Sequence, residues 1–130
     1  MKYIPLIGRI LFSVIFMYSS LSKFSSNFVY EAAAKGIPMA DILIPFSGIL
    51  ELIGALTILS GFMARWGAWL IVIVLVPVTL IMHDFWTIDD VTRHELTLLT
   101  FMRNLGLIGG ALMIAYFGSG PISIDEQRKN

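Results

Sequence analysis

Four stretches of this 130-residue chain, 4–21, 42–62, 66–82 and 96–117, are almost free of charge and rich in aliphatic and aromatic side chains. At about 1.5 Å of rise per residue, a helix of roughly 20 apolar residues crosses a hydrocarbon layer about 30 Å thick. Lipid offers no hydrogen bonds to a peptide backbone, so a spanning segment must satisfy its own amides as a helix. The expected fold is therefore all-α: an integral membrane four-helix antiparallel bundle of left-handed packing, forming a single domain over 1–130. With 57% hydrophobic and only 14% charged residues, no sequence is left for a separate soluble domain. Only a few residues, around Gly61 to Arg65, separate the second and third stretches, which must form a hairpin.

The first stretch has one rival reading, a cleaved secretory signal, because Lys2 precedes it and Ser19 and Ser20 close it. It is longer than a usual signal core, contains Arg9 and lacks a small-x-small cleavage pattern, so the expectation is a permanent first helix. Between it and the second stretch, Phe28 to Lys35 reads as a short helix, with Ser or Asn upstream as cap and Gly36 just past its end. Phe24, Phe28 and Tyr30 suit it to the membrane interface, as a surface anchor more than a gate.

The polar residues inside the stretches carry the functional information. Glu51 stands nine residues into 42–62, where an acidic side chain costs on the order of 2.5–3.5 kcal/mol on insertion scales. Ser47, Gly48, Glu51, Gly54 and Ala55 share one side of that helix, and small residues there let another helix approach. On the first helix Arg9, Ser13, Phe16, Ser20 and Lys23 form one stripe, which should face other helices or a cavity. The plainer alternative is that Arg9 and Lys23 snorkel to opposite surfaces. The fourth stretch holds Arg103 and Asn104, costly to bury without partners, followed by Gly106 and Gly110 in a G-x-x-x-G spacing that favours close packing. The third contains Pro77, expected to kink it shortly before His83, Asp84 and Trp86. Asp89 or Asp90 can cap the fourth helix, and after Gly118-Ser-Gly-Pro121 a short polar tail is expected.

These residues predict two features. Glu51 and Arg103 are expected to form the central ion pair, with Arg9 the competing partner from the other side and Asp84 an alternative for Arg103. Lys23, His83, Asp84, Trp86 and Asn104 are expected to line a pocket between the ends of the first, third and fourth helices. With Glu51 and Arg103 added, these seven are the candidate substrate-binding residues. Such a pocket suits an amphipathic ring with carbonyl oxygens, such as a quinone. The alternatives are a purely structural ion pair, with His83 and Asp84 in water and Trp86 an interfacial anchor.

Several function classes are set aside. Zero formal net charge and the lack of a basic block argue against nucleic acid binding. With no cysteine there is no disulfide, thiol relay or thiolate metal site, and redox chemistry would need a bound cofactor or quinone. No metal or haem is expected, because His83 and His94 are the only histidines and flank one loop. Lys2, Arg9, Arg65, Arg128 and Lys129 outnumber Lys23, Lys35 and Arg93 on the opposite side, which favours both termini in the cytoplasm of a bacterial inner membrane.

The sequence resembles the DoxX family of small four-helix membrane proteins. The likeness runs through Gly8-Arg9-Ile10, Ser22-Lys23-Phe24, Gly36-Ile37-Pro38, Leu50-Glu51-Leu52-Ile53-Gly54 and Leu59-Ser60-Gly61-Phe62. It continues through His83-Asp84-Phe85-Trp86, Arg103-Asn104-Leu105, the Gly-x-Gly-Pro turn and Ile122-Ser123-Ile124-Asp125, so it covers nearly the whole chain in order. Where this chain has Arg103, the family often has lysine, which keeps the charge but not the planar fork. The resemblance implies a membrane oxidoreductase or its non-catalytic subunit, linked to quinone. No residue is assigned a catalytic role. Three readings stay open: a quinone- or quinol-binding subunit assisting a membrane or periplasmic redox partner, a small-molecule or proton carrier, and a membrane scaffold or assembly protein. A homo-oligomer is compatible with each.

Overall fold

The computed structural model describes residues 1–128; Lys129, counted above for orientation, lies outside them. The elements are α1 (Tyr3–Ser22), α2 (Ser26–Ala34), α3 (Ala40–Ser60), α4 (Ala64–Met82), a single 3-10 turn (Phe85–Thr87), α5 (Val91–Phe117) and α6 (Ile124–Arg128). Four of them, α1, α3, α4 and α5, are long and apolar enough to cross a membrane, and the short α2 lies between the first two. Both described ends of the chain fall at one end of the bundle; the α1–α2 and α4–α5 connections fall at the other.

Local chemistry sets the helix boundaries. Ser25 caps α2, its hydroxyl accepting from Phe28 N at 3.3 Å, and Gly36 follows with φ +91°. Asp90 caps α5, a carboxylate oxygen accepting from Arg93 N at 3.0 Å. That cap starts α5 five residues before the apolar stretch at 96, because capping rather than hydropathy decides where a helix begins. Asp41 lies inside the first turn of α3, and Met39 takes the cap position. α4 continues through Pro77 to Met82.

α3 packs on α1 and α4, and α5 packs on the other side of α4. Glycines set how close these helices come. A Cβ on Gly54 would stand 2.9 Å from Gly67 O and 2.9 Å from Ile71, so the α3 and α4 backbones all but touch there. The core around this contact is mostly small: Ala55, Ala64, Ala68, Ala111 and Ala115 surround Phe16, Ile58, Ile71 and Leu75. Such composition is what packs helices where lipid is as apolar as leucine. The G-x-x-x-G of α5 is only half used. Gly110 lies against Phe12 of α1, whereas a Cβ on Gly106 would meet nothing within 4 Å.

The segment after α5 is a clasp rather than a loose polar tail. Asp125 N donates to Gly61 O at 2.8 Å, and the Asp125 carboxylate accepts from Met63 N at 2.8 Å and Ala64 N at 3.1 Å, capping α4 from outside its own chain segment. Ser119 and Ser123 are buried and share a 2.9 Å hydrogen bond. Arg9 fastens the clasp to the bundle. Its guanidinium donates to Ile122 O in the clasp and, near the end of α3, to Leu59 O at 3.5 Å and to Ile58 O at 3.4 Å, which Gly61 N also bonds.

Candidate functional site

The polar stripe of α1 faces inward along its length. Arg9, Ser13, Phe16 and Ser20 are buried, and Lys23, the residue that closes the helix, is 2% exposed. Lys23 does not snorkel to the surface. Gly48 of α3 lies against it, where a Cβ would be 3.1 Å from Ser20 O and 3.2 Å from Lys23 Cβ. That close approach directs the lysine stem along α3 toward Glu51, one turn deeper on the same face.

Lys23 Nζ donates to Glu51 Oε2, and Glu51 is 1% exposed. This corrects the expected Glu51–Arg103 pair. The physical reason is geometric: α3 is sandwiched between α1 and α4, so the face that bears Glu51 meets α1 before anything from α5 can reach it. Arg9, the expected competitor, is spent on carbonyls at the opposite end of the bundle. Among the described residues, the second carboxylate oxygen, Glu51 Oε1, is buried without a hydrogen-bond partner, as are Ser13 Oγ and Arg9 Nε.

Arg103 is instead held by its neighbour. Its Nε and one terminal nitrogen donate to Asn104 Oδ1 at 3.4 and 3.2 Å. Asn104 in turn is fixed from the other side, its Nδ2 donating to Thr79 Oγ1 at 3.1 Å; both Asn104 and Thr79 are buried. The result is a relay from α4 through Asn104 that aims the guanidinium. Among the described residues, no carboxylate lies within ion-pair distance of Arg103.

Between α1, α4 and α5 lies a cavity of about 510 Å³. Lys23, His83, Arg103 and Asn104 reach it, and Phe16, Leu75 and Leu107 are among its apolar walls. Phe28 from α2 also lines it, so the short helix between α1 and α3 contributes to the site. Two expected members are elsewhere. Asp84 is taken by Lys35 and by Thr87, whose hydroxyl lies 3.1 Å from Asp84 Oδ2, and Trp86 is exposed with its ring edge-on to Phe85 and Phe101. His83 ends α4 and points one way while the following turn carries Asp84 and Trp86 the other; adjacent sequence positions do not share a direction once a helix stops. Glu51 lies behind Lys23 rather than on the cavity wall. Sequence reasoning missed Thr79 as the partner of Asn104, although its helical spacing from His83 placed both on one face.

Four membrane-crossing helices that fold around a buried lysine–glutamate pair and a lipid-level cavity define a multi-pass membrane protein. The chain belongs to the DoxX family, whose model matches residues 4–84, the segment that supplies Lys23, Glu51, Thr79 and His83. It is similar to the inner membrane protein YphA of Escherichia coli, 27% identical over 93% of this chain and 85% of that protein. A similar likeness, 28% identity over 98% of this chain, links it to a Surfeit locus protein 4 homolog of Schizosaccharomyces pombe. The ER-derived vesicles protein ERV29 of Saccharomyces cerevisiae is 25% identical over 65% of the chain. The chain spans only 38% and 27% of the lengths of these two longer relatives. No solved structure matches it.

Proposed function

We propose that this protein is a redox-associated subunit of the bacterial inner membrane that binds a quinone or quinol in the cavity between α1, α4 and α5. The observation that carries the reading is the cavity itself. Its volume of about 510 Å³ is in the range of small-molecule sites, and its walls are apolar apart from a few convergent donors. The quinone would supply the redox chemistry, and the protein's part is to bind and orient it. Apolar walls from α1, α4 and α5 take the ring and tail. Lys23, His83 and the free N–H groups of Arg103 are donors toward ring oxygens. Asn104, itself bonded to Thr79, accepts from the Arg103 fork at 3.2 Å.

Extraction of the purified protein with organic solvent tests the reading. Quinone is expected to accompany the wild type and to be lost from a His83→Ala, Asn104→Ala double variant that remains folded. Equal quinone in both would reject it.

A second reading, a proton or small-molecule carrier, is favoured by the three unpartnered polar atoms of Arg9, Ser13 and Glu51 along the α1–α3 seam. Those atoms give a polar line through the bundle, with Glu51 as its carboxylate. Uptake driven by a pH gradient in proteoliposomes, abolished in Glu51→Gln, is its signature.

A further inference from the structure

The charges around the cavity do not balance. Glu51 answers Lys23, Asp84 answers Lys35, and Arg9 is bonded to three backbone carbonyls. Arg103 has only the neutral amide oxygen of Asn104 among the described residues. The side chains that line the cavity include Lys23, Arg103 and His83 and no aspartate or glutamate. Arg103 is level with Thr79, one turn from the end of α4, and its stem is long enough to snorkel outward. It is exposed, and it lines the cavity with its guanidinium bonded to Asn104. Its fork has five N–H groups, of which two are used, so the remainder are donors of the geometry that matches a carboxylate or an enolate.

We infer that the cavity selects an anionic amphiphile, an apolar ring or chain bearing one carboxylate or enolate, and that Arg103 receives the negative charge. Asn104 and Thr79 are positioning residues for that contact. A guanidinium at lipid depth without a counterion is costly, and a ligand that brings the counterion recovers that cost on binding. A neutral ring of equal size offers its carbonyl oxygens to the fork but brings no charge to balance it. The inference rests on the reading that this cavity is the ligand site, and it narrows the ligand class to acidic members.

The test uses matched probes against the full-length protein in lipid nanodiscs. One pair is an alkyl-tailed hydroxynaphthoquinone, ionised at neutral pH, and its neutral O-methyl ether. The other is laurate and its methyl ester. Binding is measured by equilibrium dialysis, with empty nanodiscs subtracting partition into lipid. The ionised hydroxynaphthoquinone is expected to bind at least about tenfold tighter than its ether, in line with a charge-assisted hydrogen bond. That preference should vanish in Arg103→Gln and persist in part in Arg103→Lys. Equal binding of acid and ether overturns the inference and leaves the quinone reading standing. Binding of laurate with Arg103-dependent preference, and of neither naphthoquinone, supports the inference and overturns the quinone reading. Binding of none of the four overturns both.

Discussion

Lys23 at the end of α1 and Glu51 on α3 form an ion pair in which the two side chains are only 2% and 1% exposed, at the level where Gly48 lets the helices touch. Among the described residues neither has another ion-pair partner, so each is the reason the other is tolerated. Removing one member of a buried pair typically costs about 3–5 kcal/mol, because the survivor stays desolvated. Glu51→Gln and Lys23→Met are each expected to destabilise the protein by about that much, and the double variant by much less than their sum. Denaturant unfolding in detergent of the four proteins of this cycle measures it. Additive losses would mean that the pair contributes nothing.

Gly54 and Gly67 make the α3–α4 contact sensitive to a single methyl. A Cβ at Gly67 would stand 1.8 Å from Thr57 Oγ1 and 3.0 Å from Gly54 O, and the second of these is backbone that cannot turn aside. Overpacking of this kind costs about 1–3 kcal/mol, more than the up to about 1 kcal/mol that alanine gains over glycine in a helix. Gly67→Ala should lower the midpoint of thermal unfolding, whereas Gly106→Ala, which meets nothing within 4 Å, should hold or raise it.

The clasp after α5 gives a third expectation. Asp125 accepts the first two free amides at the start of α4, so Asp125→Ala should cost about 0.5–2 kcal/mol, as loss of a helix cap does. Arg9→Met should cost more, since it frees Leu59 O and Ile122 O together and leaves Ile58 O with Gly61 N alone. Protease sensitivity of the bond between Gly118 and Ser119 reads out the clasp directly: it should rise in both variants and not in Glu51→Gln.

Lys35 and Asp84 form the contrasting case. They are 31% and 22% exposed, and such pairs are worth about 0–1 kcal/mol and weaken with salt. Asp84→Asn should leave stability within that range and leave quinone retention unaltered, because Asp84 faces Lys35 and Thr87 rather than the cavity. Loss of retained quinone in Asp84→Asn would show that the carboxylate works at the site.

Thr79→Val keeps the shape of the side chain and removes the hydroxyl that receives Asn104 Nδ2. A buried amide left unbonded costs about 1–3 kcal/mol, and the asparagine is then free to turn. The expected result is a modest loss of stability with a larger loss of ligand affinity. Stability lost with affinity intact would show that Thr79 serves packing alone.

Much of this was legible in the sequence for simple reasons. Lipid forces an apolar span into a helix, so the number of spans and their approximate bounds follow from hydropathy. Helical spacing then fixes which residues share a face, which placed Arg9, Ser13, Phe16, Ser20 and Lys23 on the buried side of α1, and Glu51 with its glycines toward a neighbour. The choice of neighbour does not follow from spacing. Whether Glu51 meets Lys23 or Arg103 depends on the order of helices around the bundle, and charge alone makes either cation acceptable. The tertiary structure decides it, because α3 lies between α1 and α4 and Gly48 brings the α1 backbone into contact beside Glu51. The same holds for the chain after Gly118. Its polar residues read as a tail because each one is soluble alone, and only the folded bundle supplies the carbonyls and amides at the ends of α3 and α4 that Arg9 and Asp125 bind. Sequence determines what each helix must bury; which burial partners it finds is a property of how the helices are arranged.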